Sequence, residues 1–197
     1  IDNTDADENP YTFAIQGTGL VPEIGVTGNG VSIADGDTTP RLADHTDFGT
    51  VISQVGIVTR TFAITNTGTA VLNLTGSPLV RQLVPTAPFT VTRQPVTPIP
   101  IGGGSTFDVR FSPSADGVFT GTVSLANDDL NENPYTFAVC GTAATPDIHV
   151  TGNGKWIPDG DTEPEIADHT DFGGVTASTL QRVFTIQNQG VGVLHLT

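Results

Sequence analysis

The stretch Pro22 to Gly49, PEIGVTGNGVSIADGDTTPRLADHTDFG, returns as PDIHVTGNGKWIPDGDTEPEIADHTDFG from Pro146 to Gly173, 124 positions later and without a gap. The same spacing carries Asn9-Pro-Tyr-Thr-Phe-Ala-Ile15 onto Asn133-Pro-Tyr-Thr-Phe-Ala-Val139. A fixed period of this length implies tandem copies of one domain, not a solenoid of short units. Residues 1–21 then read as the C-terminal strand of a preceding repeat, 22–145 as one complete repeat, and 146–197 as the N-terminal part of the next. A unit of 124 positions has the usual size of a domain and can bury its own core. With no methionine, even at position 1, the chain reads as an internal piece of a longer one.

Within the unit, period-2 alternation recurs and no stretch sustains a 3.6-residue period. Val58 to Thr65 puts Phe62 and Ile64 on one face and threonines on the other. Asn66-Thr-Gly-Thr69 is a turn by composition, and Ala70 to Thr75 should return as a strand with Ala70, Leu72 and Leu74 inward, forming a hairpin. The Pro-rich passage Gly76 to Pro88 should be a loop between sheets, and Phe89 to Thr92 a short strand. Gln94 to Gly104 holds three prolines that lack amide donors, which excludes a central strand. Ser105 to Ser112 buries Phe107, Val109 and Phe111. Pro113 to Gly117 is a turn, Val118 to Leu125 buries Phe119, Val123 and Leu125, and Tyr135, Phe137 and Val139 close the domain. About seven short strands and no helix predict an all-β fold: tandem immunoglobulin-like β-sandwiches of 124-residue period.

Several of these phrases resemble a known group. Asp47-Phe-Gly49, Arg60-Thr-Phe-Ala-Ile-Thr-Asn-Thr-Gly68, Phe107-Asp-Val-Arg-Phe-Ser-Pro113 and Asn133-Pro-Tyr-Thr-Phe-Ala-Val-Cys-Gly141 are similar to the ASPM/SPD-2/Hydin (ASH) immunoglobulin-like domain. Val26-Thr-Gly-Asn-Gly30 followed by Asp35-Gly-Asp37 resembles the repeats of bacterial choice-of-anchor D surface proteins. The resemblance implies large secreted or surface-displayed bacterial proteins built from tandem sandwiches, and it carries over no catalytic residue. The second occurrence departs in one loop: Phe62 corresponds to Phe184, 122 positions later, so the loop after Val175 is shorter.

Charge narrows the partners. Seven basic against 21 acidic residues give a net charge of −14, with Lys155 the only lysine. Nucleic acid and anionic membrane both call for a basic patch, which this composition lacks. No apolar run reaches the length of a membrane span, so direct membrane insertion of this segment is not expected. An acidic surface either keeps the chain soluble or collects cations.

The residues richest in chemistry are Asp35, Asp37, Asp44 and Asp47, repeated as Asp159, Asp161, Asp168 and Asp171. Carboxylates on a Gly-containing loop suit calcium, a hard cation that wants six to eight oxygens. The other reading is a solvated loop whose aspartates cap turns. A secondary acidic loop, with Asp128, Asp129, Asn131 and Glu132, precedes the last strand. It is expected at the end where the chain enters the domain, with the Asp35 loop at the exit end. Acidic loops of neighbouring repeats would then face each other, and calcium would bridge them and stiffen a rod.

Other features carry less. Asp44-His-Thr-Asp47 and its repeat have no nucleophile or third ligand nearby in sequence, and read as turns. Gly102-Gly-Gly104 lacks the helix and lysine of a phosphate loop. Cys140 stands where Gln16 does in the preceding unit, so it belongs to an outer strand face. Trp156 stands where Ser32 does and is a candidate for carbohydrate stacking. Asn73-Leu-Thr75 fits a glycosylation sequon, with Asn73 facing solvent.

These readings converge on a non-enzymatic structural module of a large extracellular or cell-surface bacterial protein, a stalk or the body of a fibre. Its expected partners are neighbouring repeats of the same chain or other copies of it, with strand exchange between copies as one alternative. The alternative is an adhesin-type module gripping a glycan or host protein through sandwich-end loops. Residues 1–21 and 146–197 hold too few strands to bury their apolar faces alone; they read first as part of a longer filament in which continuations of the chain cover them, and alternatively as strands exchanged between copies.

Overall fold

The structure, a computed structural model, describes residues 1–82, 88–174, 176 and 179–197. Among the described residues there is no helix. Nine strands between Ile24 and Ala143 build two sheets. The first contains β1 (Ile24–Gly28), β2 (Val31–Ile33), β4 (Val58–Asn66), β6 (Phe89–Arg93) and β7 (Gly104–Phe111), in the order β2-β1-β4-β7-β6. The second contains β3 (Asp47–Val51), β5 (Val80–Gln82), β8 (Gly117–Leu125) and β9 (Tyr135–Ala143), in the order β3-β9-β8-β5.

The two sheets face each other across one core. Phe62 of the first packs on Phe137 of the second at 5.3 Å between ring centroids. Phe48 meets both Phe89 and Phe111, at 5.2 and 6.0 Å. Alternation places every second residue of β4, β7 and β9 inward, and Phe62, Ile64, Phe107, Val109, Phe111, Tyr135, Phe137 and Val139 are all buried. Each such side chain contributes about 1.5–3 kcal/mol on leaving water. This is an immunoglobulin-like sandwich, as the alternation predicts.

Three local expectations change. Ala70 to Thr75 is no hairpin partner of β4, because both edges of β4 are taken, by β1 and β7. Leu72 and Leu74 are buried and make only single bridges, to Ile99 and Asn127, while Ala70 is half-buried. The Pro-rich passage holds β5, which pairs with β8; its residues 83–87 lie outside those described. Asp47 to Val51, for which no strand was expected, runs parallel to β9 as an edge strand.

The start of the domain also turns back on itself. Asn29 and Gly30 have φ of 52° and 74°, the pair of positive values that a two-residue hairpin turn of type I′ requires. β2 therefore returns beside β1, and the chain after Ile33 comes back to the end at which it entered.

The second occurrence of the motif folds the same way. β10 (Ile148–Gly152), β11 (Lys155–Ile157) and β12 (Phe184–Asn188) form a three-stranded sheet in the order β11-β10-β12. Val150 faces Ile157 and Ile186 as Val26 faces Ile33 and Ile64. Of the shortened loop after Val175, residues 177 and 178 lie outside the described residues.

Candidate functional site

Each aspartate of the expected calcium loop has its own polar partner. Asp35 accepts the Thr136 amide at 2.7 Å, and Asp47 accepts that of Gly49 at 2.8 Å. Asp37 accepts the Thr39 amide and meets the Arg41 guanidinium at 3.3 Å. Asp44 is buried; one oxygen takes the Thr46 amide and hydroxyl, and the other has no hydrogen bond and lies 3.8 Å from Arg41. Asp35, Asp37 and Asp47 are strung along the edge of β9, opposite residues 136 to 140, while the Asp44 backbone lies against Gly28 of β1, and the four do not converge. Asp161, Asp168 and Asp171 cap their turns in the same manner, while Asp159 is exposed. Asp37, Asp44, Asp47, Asp161, Asp168 and Asp171 each bond an amide two residues on and so cap a turn, whereas Asp35 bonds across to Thr136.

Among the described residues, three carboxylates meet at one place: Glu23, Asp129 and Glu132 approach within 4.8 Å of one another. Asp129 is buried and accepts the Ile24 amide at 3.0 Å, which ties the secondary acidic loop to the start of β1. The loop is therefore at the entry end, as expected. Asp35 is there too, because β2 has turned back, so the two acidic loops of one sandwich share an end and do not face each other across a junction. Burial pushes the Glu132 carboxyl up, and Glu23, Asp129 and Asp35 push it further. One Glu132 oxygen is buried without a hydrogen bond. Asp128 holds the backbone and side chain of Asn73, and Asn131 is exposed. If any described residues hold a calcium ion, Glu23, Asp129 and Glu132 have the chemistry for it.

The second notable feature is the passage from the sandwich into the following sheet. β9 ends at Ala143 and β10 begins at Ile148. Between them the backbone is held at residues 144, 145 and 147. Ala144 N–H donates to Val51, Thr145 C=O accepts from Gly192, and Asp147 C=O accepts from Gln189. Asn188 accepts the Asp147 amide at 3.0 Å and donates to Gly192 at 2.6 Å. A Cβ on Gly190 would lie 2.3 Å from the Thr145 carbonyl oxygen, so only glycine allows this approach. The Thr145 hydroxyl also joins Ser53 and Asp116, whose carboxyl is held below its ordinary value by hydrogen bonds from Ser53 and Thr145.

Residues 21–23 are gripped identically. Thr69 and Ala70 donate to Val21, Thr67 donates to Glu23, and a Cβ on Gly68 would lie 2.5 Å from the Glu23 nitrogen. Asn66 is fully buried; it accepts from Glu23 and Gly68 and donates to Ala70 and Ile99. Composition marked Asn66 only as a turn residue. The signal that could have found its role is its recurrence, with the following Gly, at Asn188 and Gly190.

The remaining candidates are quickly placed. Cys140 is half-buried beside Asp47, and burial raises its thiol to about 11. His45 sits in a turn at φ 66°, and burial then Arg60 lower its pKa. Trp156 is exposed and stacks on His149 at 5.9 Å. Asn73 is exposed, though its amide donates to Asp128.

No family model matches the chain, and no curated protein matches it. Solved structures give distant likenesses. A Porphyromonas gingivalis W83 protein of unknown function is 16% identical over 62% of this chain, with a TM-score of 0.42. This chain spans 46% of that protein's length. The ASH/PapD-like domain 7 of human CEP192 is 11% identical, covering 70% of this chain and 97% of that one, at a TM-score of 0.42. The secreted serine protease VesC of Vibrio cholerae is 13% identical, covering 51% of this chain and 22% of that one, at 0.40. The fold assignment rests on the sheets described above.

Proposed function

We propose that this chain is a structural spacer: one immunoglobulin-like sandwich and parts of its neighbours, from a tandem array of 124-residue period in a large extracellular bacterial surface or fibre-forming protein. Its work is to hold domains at a set distance and angle, with no catalysis, no nucleic acid and no membrane insertion by this segment. The resemblance to choice-of-anchor D repeats and the acidic, turn-rich composition agree with that setting.

The observation that carries the reading is the held junction. A flexible tether is rich in Gly and Ser and leaves its backbone to water. Here residues 144–147 are bonded from both sides, and the glycine turn of the following repeat closes on them. Calcium at Glu23, Asp129 and Glu132 would stiffen the entry end further by pinning the secondary acidic loop to β1.

Small-angle X-ray scattering of the dilute chain tests this, comparing it with Gly190→Val. The wild type should give one fixed shape, and the variant a broader profile with the sandwich still folded. Identical profiles for the two would sink the spacer reading. Chelator should change neither shape nor melting temperature unless calcium is bound, which separates the cation from the spacer.

A second reading, an adhesin-type module for a glycan, has one observation in its favour: the exposed Trp156 ring, held flat against His149.

A further inference from the structure

β10, β11 and β12 repeat the register of β1, β2 and β4 pair for pair, so each of their faces has a counterpart in the sandwich. On the inner face nothing changes: Val26, Ile33, Phe62 and Ile64 return as Val150, Ile157, Phe184 and Ile186. The outer face is different. Gly25, Ser32, Ala63 and Thr65 become His149, Trp156, Thr185 and Gln187, while Thr27 stays as Thr151. Every replacement is larger, and each brings a ring or a hydrogen-bonding group.

This face belongs to the solvent side of the fold. In the complete sandwich Ser32 is exposed, and Gly25, Thr27, Ala63 and Thr65 are half-buried beside fully buried inward neighbours. The second sheet packs on the inner face and leaves the outer one open.

The new side chains come together. Thr151 is the cross-strand partner of Trp156, and His149 lies two residues from Thr151 on the same face. This diagonal sets the indole on the imidazole, 5.9 Å between centroids and 6° between planes. Trp156 remains 61% exposed. His149 is paired in turn with Gln187, where the sandwich pairs Gly25 with Thr65. Among the described residues, the side chains of Thr151, Thr185 and Gln187 make no hydrogen bond.

A flat, braced ring beside unengaged hydroxyl and amide groups suits a sugar. The apolar C–H face of a pyranose lies on the ring, and its hydroxyls exchange hydrogen bonds with the polar flank. From β11 to β12 the platform spans two strand spacings, about 10 Å, enough for a short oligosaccharide. The net charge of −14 repels anionic chains, so the sugar is a neutral one.

We propose that the outer face of β10, β11 and β12 binds a neutral oligosaccharide, with Trp156 under one sugar ring and Gln187, Thr151 and Thr185 holding its hydroxyls. This rests on the adhesin-type reading, and it moves the grip from the ends of the sandwich to a sheet face.

Trp156 is the only tryptophan of the chain, so its fluorescence reports this face alone. The full chain is titrated with cellohexaose, maltohexaose, mannohexaose and chitohexaose, and a saturable change with at least one is expected. Calorimetry with that sugar then compares variants. Trp156→Ala should weaken binding about tenfold or more, and Gln187→Ala several-fold. Melting of the sandwich should not change, because both residues lie outside it. No saturable binding of any of the four sugars overturns the proposal. Heat of binding without a fluorescence change, or binding that Trp156→Ala leaves intact, also overturns it but keeps the adhesin-type reading, with the grip returned to the loops. A response to decaproline and to none of the sugars would make the platform a peptide site and overturn it as well. The spacer reading stands or falls separately, on scattering.

Discussion

Residues 125–139 and 1–15 share most of their sequence and close the same asparagine-centred loop, yet the first lies in a core and the second in solvent. The same contrast holds between Pro22–Gly49 and Pro146–Gly173, where identical hairpins and turns carry Phe48 buried and Phe172 exposed. The loop and the hairpin are local products of Asn, Gly and Asp side chains bonding nearby backbone. Burial is not local: it needs β9 seated between β3 and β8 and across from β4.

The contrast is broken most severely in the core. Phe137→Ala should cost about 3–5 kcal/mol in chemical denaturation, because the ring packs on Phe62 and the space cannot refill. Phe13→Ala, at the corresponding exposed position, should leave the transition where it was. Equal losses would mean that residues 1–15 are docked after all.

Asn66→Ala comes next, at about 3 kcal/mol, since it strips partners from four backbone groups around a fully buried site. Asn188→Ala removes the corresponding bonds to Asp147, Gly190 and Gly192 where water can replace them, and should change the main melting transition little. Urea titration of the two variants checks the difference.

The pattern of alternation was enough to read β4, β7, β8 and β9 and to name the core residues Phe62, Ile64, Phe107, Phe111 and Phe137. β3 escaped because Asp47 and Gly49 do not alternate and its partner lies far along the chain, in parallel. The seat of the acidic site depended on one dipeptide. Asn29-Gly30 is a hairpin signal in the sequence, and once it is read, Asp35 moves from the exit end to the entry end. Which carboxylates meet then follows from topology: Glu23 with Asp129 and Glu132, and not the four aspartates that the spacing favoured.

Two titrations sharpen the account of the two ends of the sandwich. Glu132 has a folded pKa raised by burial and by like charges, so the folded state holds its proton more tightly than the unfolded. Its effect is absent at low pH and becomes destabilising as pH rises through the unfolded value and on through the folded one. Glu132→Gln should therefore raise the melting temperature at pH 7, on the order of 2 °C, with no gain below about pH 4. Calcium at the same carboxylates would raise it in the wild type and not in the variant.

Asp116, at the exit end, has the opposite sign. Hydrogen bonds from Ser53 and Thr145 lower its pKa, so its contribution is present above the unfolded value and fades as pH falls through the folded one. Asp116→Asn should give a small loss of melting temperature at pH 7 that disappears in acid. A loss that persists in acid would mean packing, not charge, holds that corner.

The measurement that bears most directly on the spacer is the distance distribution across the junction. Spin labels on Val118→Cys and Val183→Cys, both at exposed positions, in a Cys140→Ser background, would report it by double electron–electron resonance. The held residues 144–147 predict one narrow distance, which broadens when Gly190→Val is added. A broad distribution in the unmodified junction would contradict the account, because a spacer that swings freely sets neither distance nor angle.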